Sequence, residues 1–281
     1  MSSDVDQFVL DRALAPADVQ AVLAFSSPTC SNDFHSAVHK RFSGAIQKIG
    51  LAASHTPFVN GLPFTLFKNG SVITDGAVGL ALQGPKRLHS SFNLGGFRAI
   101  SSPVKVTSAR GNIVHTLGKD KATRHLLAAI HGAGLSTESS KDDDFYLALF
   151  PRGDSASTPT DTSSYDAVLQ INSGDPSRGS IAVESEWGPS MGDYVQILHR
   201  SLSAEATTHL RDVRTENNSP LLRFSATTLE QLYEGRDRAP DELIDVSGIF
   251  EACSENGFVV YSGARLPWTC KFPGVTAALE F

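Results

Sequence analysis

The chain has 281 residues, of which 41% are hydrophobic and 19% charged, with a formal net charge of −6 at pH 7. That balance excludes a globally disordered chain, and the acidic charge argues against nucleic acid or an anionic membrane surface as the main partner. No apolar run reaches the ~18 residues that a membrane-spanning helix needs.

Three cysteines, Cys30, Cys253 and Cys270, share no CxxC spacing and leave one over from any pairing. Neither a disulfide framework nor a zinc site is expected, and a reducing, cytoplasmic setting is the simplest. The acidic start, MSSDVDQFVLDRALAPADVQ, fits neither a secretory signal nor an Arg-rich transit peptide. Without a signal peptide, the sequon at Asn217 reads as a chance match.

In chain order, Val19 to Ser26 is a short apolar run ended by Ser-Ser-Pro, which predicts a buried strand. Ser31, Asn32 and Asp33 offer cap oxygens to a following helix. Its apolar stripe runs through Phe34, Val38, Phe42, Ile46 and Ile49, and Gly50 is placed to end it. Asp75 to Leu82 reads as a strand in which Gly76 and Gly79 mark a bulge or a close neighbour. Val104–Thr107 and Ile113–Leu117 flank a Gly111-Asn112 turn and predict a hairpin. A second helix is predicted over Lys119–Ile130, with Asp120 as its cap and Gly132 and Gly134 beyond its end.

Phe145–Phe150 is a further strand candidate, and residues 153–164, rich in Ser, Thr, Asp and Pro, read as a mobile loop and the best internal boundary. Two halves follow, residues 1–152 and 165–281. In the second, Ala167–Ile171 and Ile181–Val183 are β-branched runs around the stiff turn Ser173-Gly-Asp-Pro-Ser-Arg-Gly179. With Tyr194–Leu198 they predict an antiparallel meander with a charged tip. Leu221–Ala226 reads as a strand and Thr228–Asp245 as a charged, partly helical insertion. Ile249–Cys253 and Phe258–Tyr261 flank Asn256-Gly257, a hairpin signal, and Trp268–Phe281 closes the chain as one more strand. Short strands in hairpins with a few helices and no regular βαβ alternation predict an α+β fold, mainly antiparallel sheets in two halves flanked by those helices. No solenoid-type repeat is evident.

Candidate sites are few. Gly79 to Lys86 has the outline of a phosphate loop, but Pro85 stands where the lysine belongs and Lys86 where Ser or Thr belongs, so it reads as a strand running into a turn. His35 and His39 lie one helical turn apart, yet no third ligand or general base accompanies them, and they read as surface histidines. Cys30 precedes a helix without an assigned base and reads as structural. No GxSxG elbow is present. No metal, cofactor or catalytic residue is assigned, and an enzyme is the less favoured class. In the charged turn, Asp175 can accept from backbone N–H groups and Arg178 presents a planar fork suited to carboxylate or phosphate.

Asp75-Gly-Ala-Val-Gly-Leu-Ala-Leu82, Val106 to Ile113, Ser173 to Gly179, Ser254 to Phe258, and Trp268-Thr-Cys270 with Pro273-Gly274 follow one another in an order that resembles the FIST family (F-box and intracellular signal transduction domains). The form resembled is the short one associated with fungi, with no F-box before Val19. The resemblance implies a two-part sensory domain that binds small ligands such as amino acids or their derivatives. It carries over Asn112, Asp175, Arg178 and Asn256 as turn residues rimming a cleft, Arg178 meeting an anionic group. A non-catalytic sensor of this kind is the first expectation. The second is a module that recruits a protein partner and binds no metabolite. Neither nucleic acid nor membrane is expected as a partner.

Overall fold

A computed structural model describes residues 18–30, 32–42, 46–55, 61–84, 88–135, 143–151, 165–175, 177–201, 221–228, 230, 248–261 and 265–280. The Ser/Thr-rich loop 153–164, the Pro85-Lys86 pair, the sequon at Asn217 and most of the charged insertion after Thr228 lie outside these residues. The chain divides into two compact units.

The first unit opens with β1 (Val19–Ser26), α1 (Asn32–Arg41) and β2 (Gln47–Ala52). A small hairpin of β3 (Leu66–Lys68) and β4 (Ser71–Ile73) follows, then β5 (Ala77–Gln83) and β6 (His89–Asn93). The second unit takes β7 (Arg98–Ala99), β8 (Val104–Arg110), β9 (Ile113–Leu117), β10 (Asp120–Lys121), α2 (Ala122–Gly132), β11 (Asp143–Leu149), β12 (Ala167–Asp175), β13 (Ser180–Val183) and β14 (Tyr194–Ser201). The chain then returns to the first unit with β15 (Leu221–Ala226), β16 (Ile249–Ser254), β17 (Phe258–Val260), β18 (Trp268–Cys270) and β19 (Thr276–Glu280). Between β17 and β18, residues 262–265 belong to the second unit.

The expected α+β arrangement is overturned. Strands hold 51% of the described residues and helices 12%, with only two helices among them. The first helix shows why. Its apolar stripe predicts one run through Ile49, but α1 stops at Arg41 and Ile49 lies buried in β2. The chain gains more by coming back as a strand beside β1, Leu23 opposite Ile49, than by continuing a helix with nothing further to cover. Lys48 closes the helix end, its ammonium donating to the carbonyls of Phe42 (2.7 Å) and Ile46 (2.9 Å). The pair β1 and β2 is therefore parallel with a helical crossover, a βαβ unit. Val22, Val38 and Phe42 pack between α1 and the sheet.

The first unit holds a five-stranded sheet, β18-β17-β2-β1-β5, and a four-stranded sheet, β16-β15-β19-β6. The anticipated hairpin of β16 and β17 does not form: β16 runs parallel to β15, whereas β17 pairs with β2 and β18. The last strand likewise breaks in two at Pro273-Gly274, where Gly274 takes φ 81°.

The second unit holds the eight-stranded sheet, ordered β10-β9-β13-β12-β11-β14-β7, with β8 against both β14 and β9. The β8–β9 and β12–β13 hairpins form as the turn residues predict. The meander stops there. Both edges of β12 are taken, by β13 and β11, so β14 pairs with β11 instead. Tyr146, Leu147, Val168, Val195 and Ile197 are buried along these central strands. Helix α2 starts at Ala122, with Lys121 rather than Asp120 at its cap position and no side-chain cap bond.

Candidate functional site

In the first unit, the carboxyl ends of the parallel strands β1 and β2 collect polar side chains from four adjacent strands. The order across the sheet, β5-β1-β2-β17, brings together the start of β5, the ends of β1 and β2, and the turn before β17. The space beyond the carboxyl ends of parallel strands is where open sheets with crossover helices hold ligands, because loops there diverge and leave room.

At one side, Asp75 immediately precedes Gly76 and β5. Its Oδ1 accepts from Ser27 Oγ (2.7 Å), Thr29 Oγ1 (2.8 Å) and the Gly76 N–H (2.8 Å). These donors hold its carboxyl below the usual range, Ser27 contributing most. Asp75 is exposed, and no further partner is present on its second oxygen among the described residues. A fixed, ionised, solvent-facing acceptor results.

At the other side, Glu255 accepts from Ser54 Oγ and from the His55 N–H (2.8 Å). Asn256 Nδ2 donates to the Ala53 carbonyl (2.9 Å) and to Glu255 Oε1 (3.1 Å), and its N–H reaches Ser254 Oγ (3.0 Å). The strands that the two residues precede, β5 and β17, stand three strand spacings apart, about 14 Å, and each carboxylate leans inward, onto Ser27 after β1 and onto Ser54 after β2.

On the helix-covered face of the same ends, His35 is buried between Ser26 and Tyr261. Its Nδ1 lies 2.7 Å from the Tyr261 hydroxyl and its Nε2 3.4 Å from Ser26 Oγ. His39 stacks on the Tyr261 ring at 6.3 Å. The two histidines are thus packing partners of one tyrosine rather than the surface pair the sequence suggests. Burial pushes His35 down to about 4, leaving it neutral at physiological pH, and raises the Tyr261 phenol. Burial, aided by Asp75, pushes the Cys30 thiol up to about 11. A neutral imidazole, a phenol and a thiol make this cluster a structural one: it presents neither a thiolate nor an imidazolium. Among the described residues no group of three His, Cys, Asp or Glu side chains is arranged to hold a metal ion.

Of the four residues singled out in the sequence, only Asn256 belongs to this first unit. The other three lie in the second. Asp175 ends β12 opposite Ser180, and Arg178 is exposed on the turn at residues 177–179. That turn meets the start of α2, the Gly179 carbonyl accepting from the Thr123 N–H (3.1 Å). Asn112 sits at the opposite end of β13. Its Nδ2 donates to the Val183 carbonyl and its own carbonyl accepts from the Val183 N–H, both at 3.0 Å. Asp175 and Arg178 therefore share one turn, Asn112 stands about 10 Å along the strand, and Asn112 is held by the sheet.

Sequence reasoning missed Asp75, Ser27 and Thr29, and left Glu255 as the residue of its turn that turn chemistry does not explain. The signal was present in part: Asp75-Gly76 stands just before a strand, and Ser26-Ser27 just after one. Without the parallel pairing of β1 and β2, nothing placed Asp75 beside Ser27 or Glu255 beside Ser54. Sequence reasoning also missed Arg265 of the second unit. Its guanidinium is buried and donates to Asp166 Oδ2 (3.2 Å), Asp193 Oδ2 (2.9 Å) and the Phe150 carbonyl (2.7 Å). All of its charge is met by protein, so this is a fastening and not a site.

The family model of the FIST N domain matches residues 3–120. That stretch carries β1, α1, β2 and Asp75 of the carboxyl-end cluster, while Glu255 and Asn256 fall beyond it. The resemblance drawn from the motifs agrees with this match to a FIST N domain over the first part of the chain. No curated protein and no solved structure matches the chain. Among the described residues no helix is long and apolar enough to cross a membrane.

Proposed function

We propose that this FIST-like chain is a non-catalytic intracellular sensor that takes a small metabolite bearing an amino group, an amino acid being the simplest, at the carboxyl ends of β1 and β2. The observation that carries this reading is Asp75. Three donors fix one of its oxygens, which keeps it ionised and oriented while the other side of the carboxylate faces solvent. A positioned carboxylate of this kind suits an ammonium group. Asn256 and Glu255 rim the ends of the same sheet. Neighbouring Cys30 and His35 stay uncharged at neutral pH, which supports binding in preference to chemistry.

In the second unit, taken by itself, the exposed Arg178 on the turn that Asp175 opens is the group we assign to a separate anionic ligand. Asn112 serves to hold its hairpin rather than to contact the ligand.

A thermal-shift screen over amino acids, amines and organic acids tests the reading. A ligand at 100 times its Kd raises the unfolding free energy by about 2.7 kcal/mol, a clear rise in Tm. Asp75→Asn is expected to abolish the rise for amino-bearing ligands and Arg178→Ala the rise for anionic ones. No response to any metabolite, or responses indifferent to both substitutions, would overturn it.

A further inference from the structure

Two parts of the first unit repeat one another, although their sequences barely show it. Strand β1 is flanked by β2 in parallel and β5 antiparallel, and β15 is flanked by β16 in parallel and β19 antiparallel. The registers agree residue by residue: Ser26 lies opposite Ala52 and Ala77, and Ser225 lies opposite Cys253 and Thr276. The hydrogen bond from the Ser27 N–H to the Gly76 carbonyl (2.8 Å) recurs from the Ala226 N–H to the Val275 carbonyl (3.1 Å). Equivalent residues also meet each other. Phe25 and Phe224 stand edge to face at 5.7 Å, and Ser54 donates to its counterpart Glu255. Contacts between equivalents are what a local twofold relation produces.

The two copies differ at one edge. The outer side of β19 is covered by β6, antiparallel, from Thr276 opposite Asn93 to Glu280 opposite His89. No described strand is hydrogen-bonded to the equivalent outer side of β5: β5 ends its sheet, and β3, although it lies close to β5, pairs only with β4. The Ser27–Gly76 bond sets the phase of the ladder: Val78, Leu80 and Leu82 bond to β1, so Ala77, Gly79, Ala81 and Gln83 turn their N–H and C=O groups outward. The strand AVGLALQ has no charge and no proline, and Leu80 at its centre is 58% exposed. Proteins ordinarily guard such an edge with one or the other.

We propose that β5 pairs antiparallel with β5 of a second copy of this chain, joining two five-stranded sheets across a twofold axis. A second copy fits better than a foreign strand because the edge is self-complementary. With Leu80 opposite the partner's Leu80, Gly79 falls opposite the partner's Ala81 and Ala77 opposite the partner's Gln83. Every outward-facing backbone group then meets a partner, and no like charges are opposed. The exposed leucines meet in the close, non-hydrogen-bonded position, where side chains approach most nearly. A charged peptide would find no charge on this strand to recognise. The proposal is independent of the ligand reading.

Sedimentation or light scattering of the full chain across concentration tests it. The expected result is a dimer that Leu80→Lys weakens about tenfold or more, with the circular dichroism of the folded chain preserved because Leu80 is largely exposed. Mixing Leu80→Lys with Leu80→Glu chains is expected to restore a mixed dimer, which a merely unfolded variant would not form. A chain that stays monomeric throughout, or a dimer that tolerates Leu80→Lys unchanged, would overturn the proposal.

Discussion

His35 links a single ring to the acid response of the protein. Its pKa in the folded state is about 4 against an ordinary 6.5, because burial penalises the imidazolium. Above 6.5 the ring is neutral in both the folded and unfolded states, so it adds no pH dependence there. Between 6.5 and 4 the unfolded chain takes up the proton more readily, and stability falls as the pH falls, by at most about 3 kcal/mol for this depression. His35→Gln keeps a polar partner for Tyr261 and removes the titration. Melting curves from pH 7.5 to 4.5 are expected to show a shallower acid slope for the variant than for the parent. Equal slopes would assign the acid sensitivity elsewhere. Its neighbour Asp75 is lowered as well, but there the hydrogen bonds favour the ionised form, so its contribution is likewise lost as the pH falls, in a more acidic range than that of His35.

At the scale of elements, the turn between β16 and β17 decides how the first unit is built. Asn256-Gly257 is a strong hairpin signal, and Gly257 does take a left-handed φ of 79°. The chain nevertheless leaves one sheet and enters the other there. The Gly257 carbonyl accepts from the Ala52 N–H (3.0 Å), and a Cβ at this position would run into the Cys270 carbonyl. Gly257→Ala therefore faces both a disfavoured φ and a backbone collision, and is expected to cost more than about 1 kcal/mol. Urea unfolding would measure it. A loss no greater than that of an exposed-loop glycine would refute the account. Local turn chemistry was legible here, as it was at Gly111-Asn112 and in the 173–179 turn. The pairing partners were not, since a turn fixes the reversal of the chain and not which strand edge is vacant when it arrives.

At the scale of the whole molecule, strands far apart in sequence complete the first unit. Strand β2 is covered on one side by β17, Phe258 opposite Leu51, while the second unit is inserted between them along the chain. Folding must close that long loop before the five-stranded sheet is complete, which favours slow formation. A chain ended before β15 lacks β17 and β18, and the β2 amides that face β17 are expected to lose protection in hydrogen exchange. Protection equal to that of the full chain would mean the sheet stands without its C-terminal strands.

By itself the sequence determined where β1, the β8–β9 hairpin, the β12–β13 turn and α2 would form, and its ordered motifs pointed to the FIST family. Those features rest on local chemistry: apolar runs and glycines with left-handed φ act within a few residues of themselves. Tertiary structure alone decided that β1 and β2 run parallel, that Ile49 belongs to a strand rather than a helix, and that β14 bypasses β13 and β12 to reach β11. It alone brought Asp75 to Ser27 and Glu255 to Ser54. The reason is physical: backbone pairing depends on which edges are unfilled, and that is a property of the assembled sheet that no stretch of residues carries in isolation.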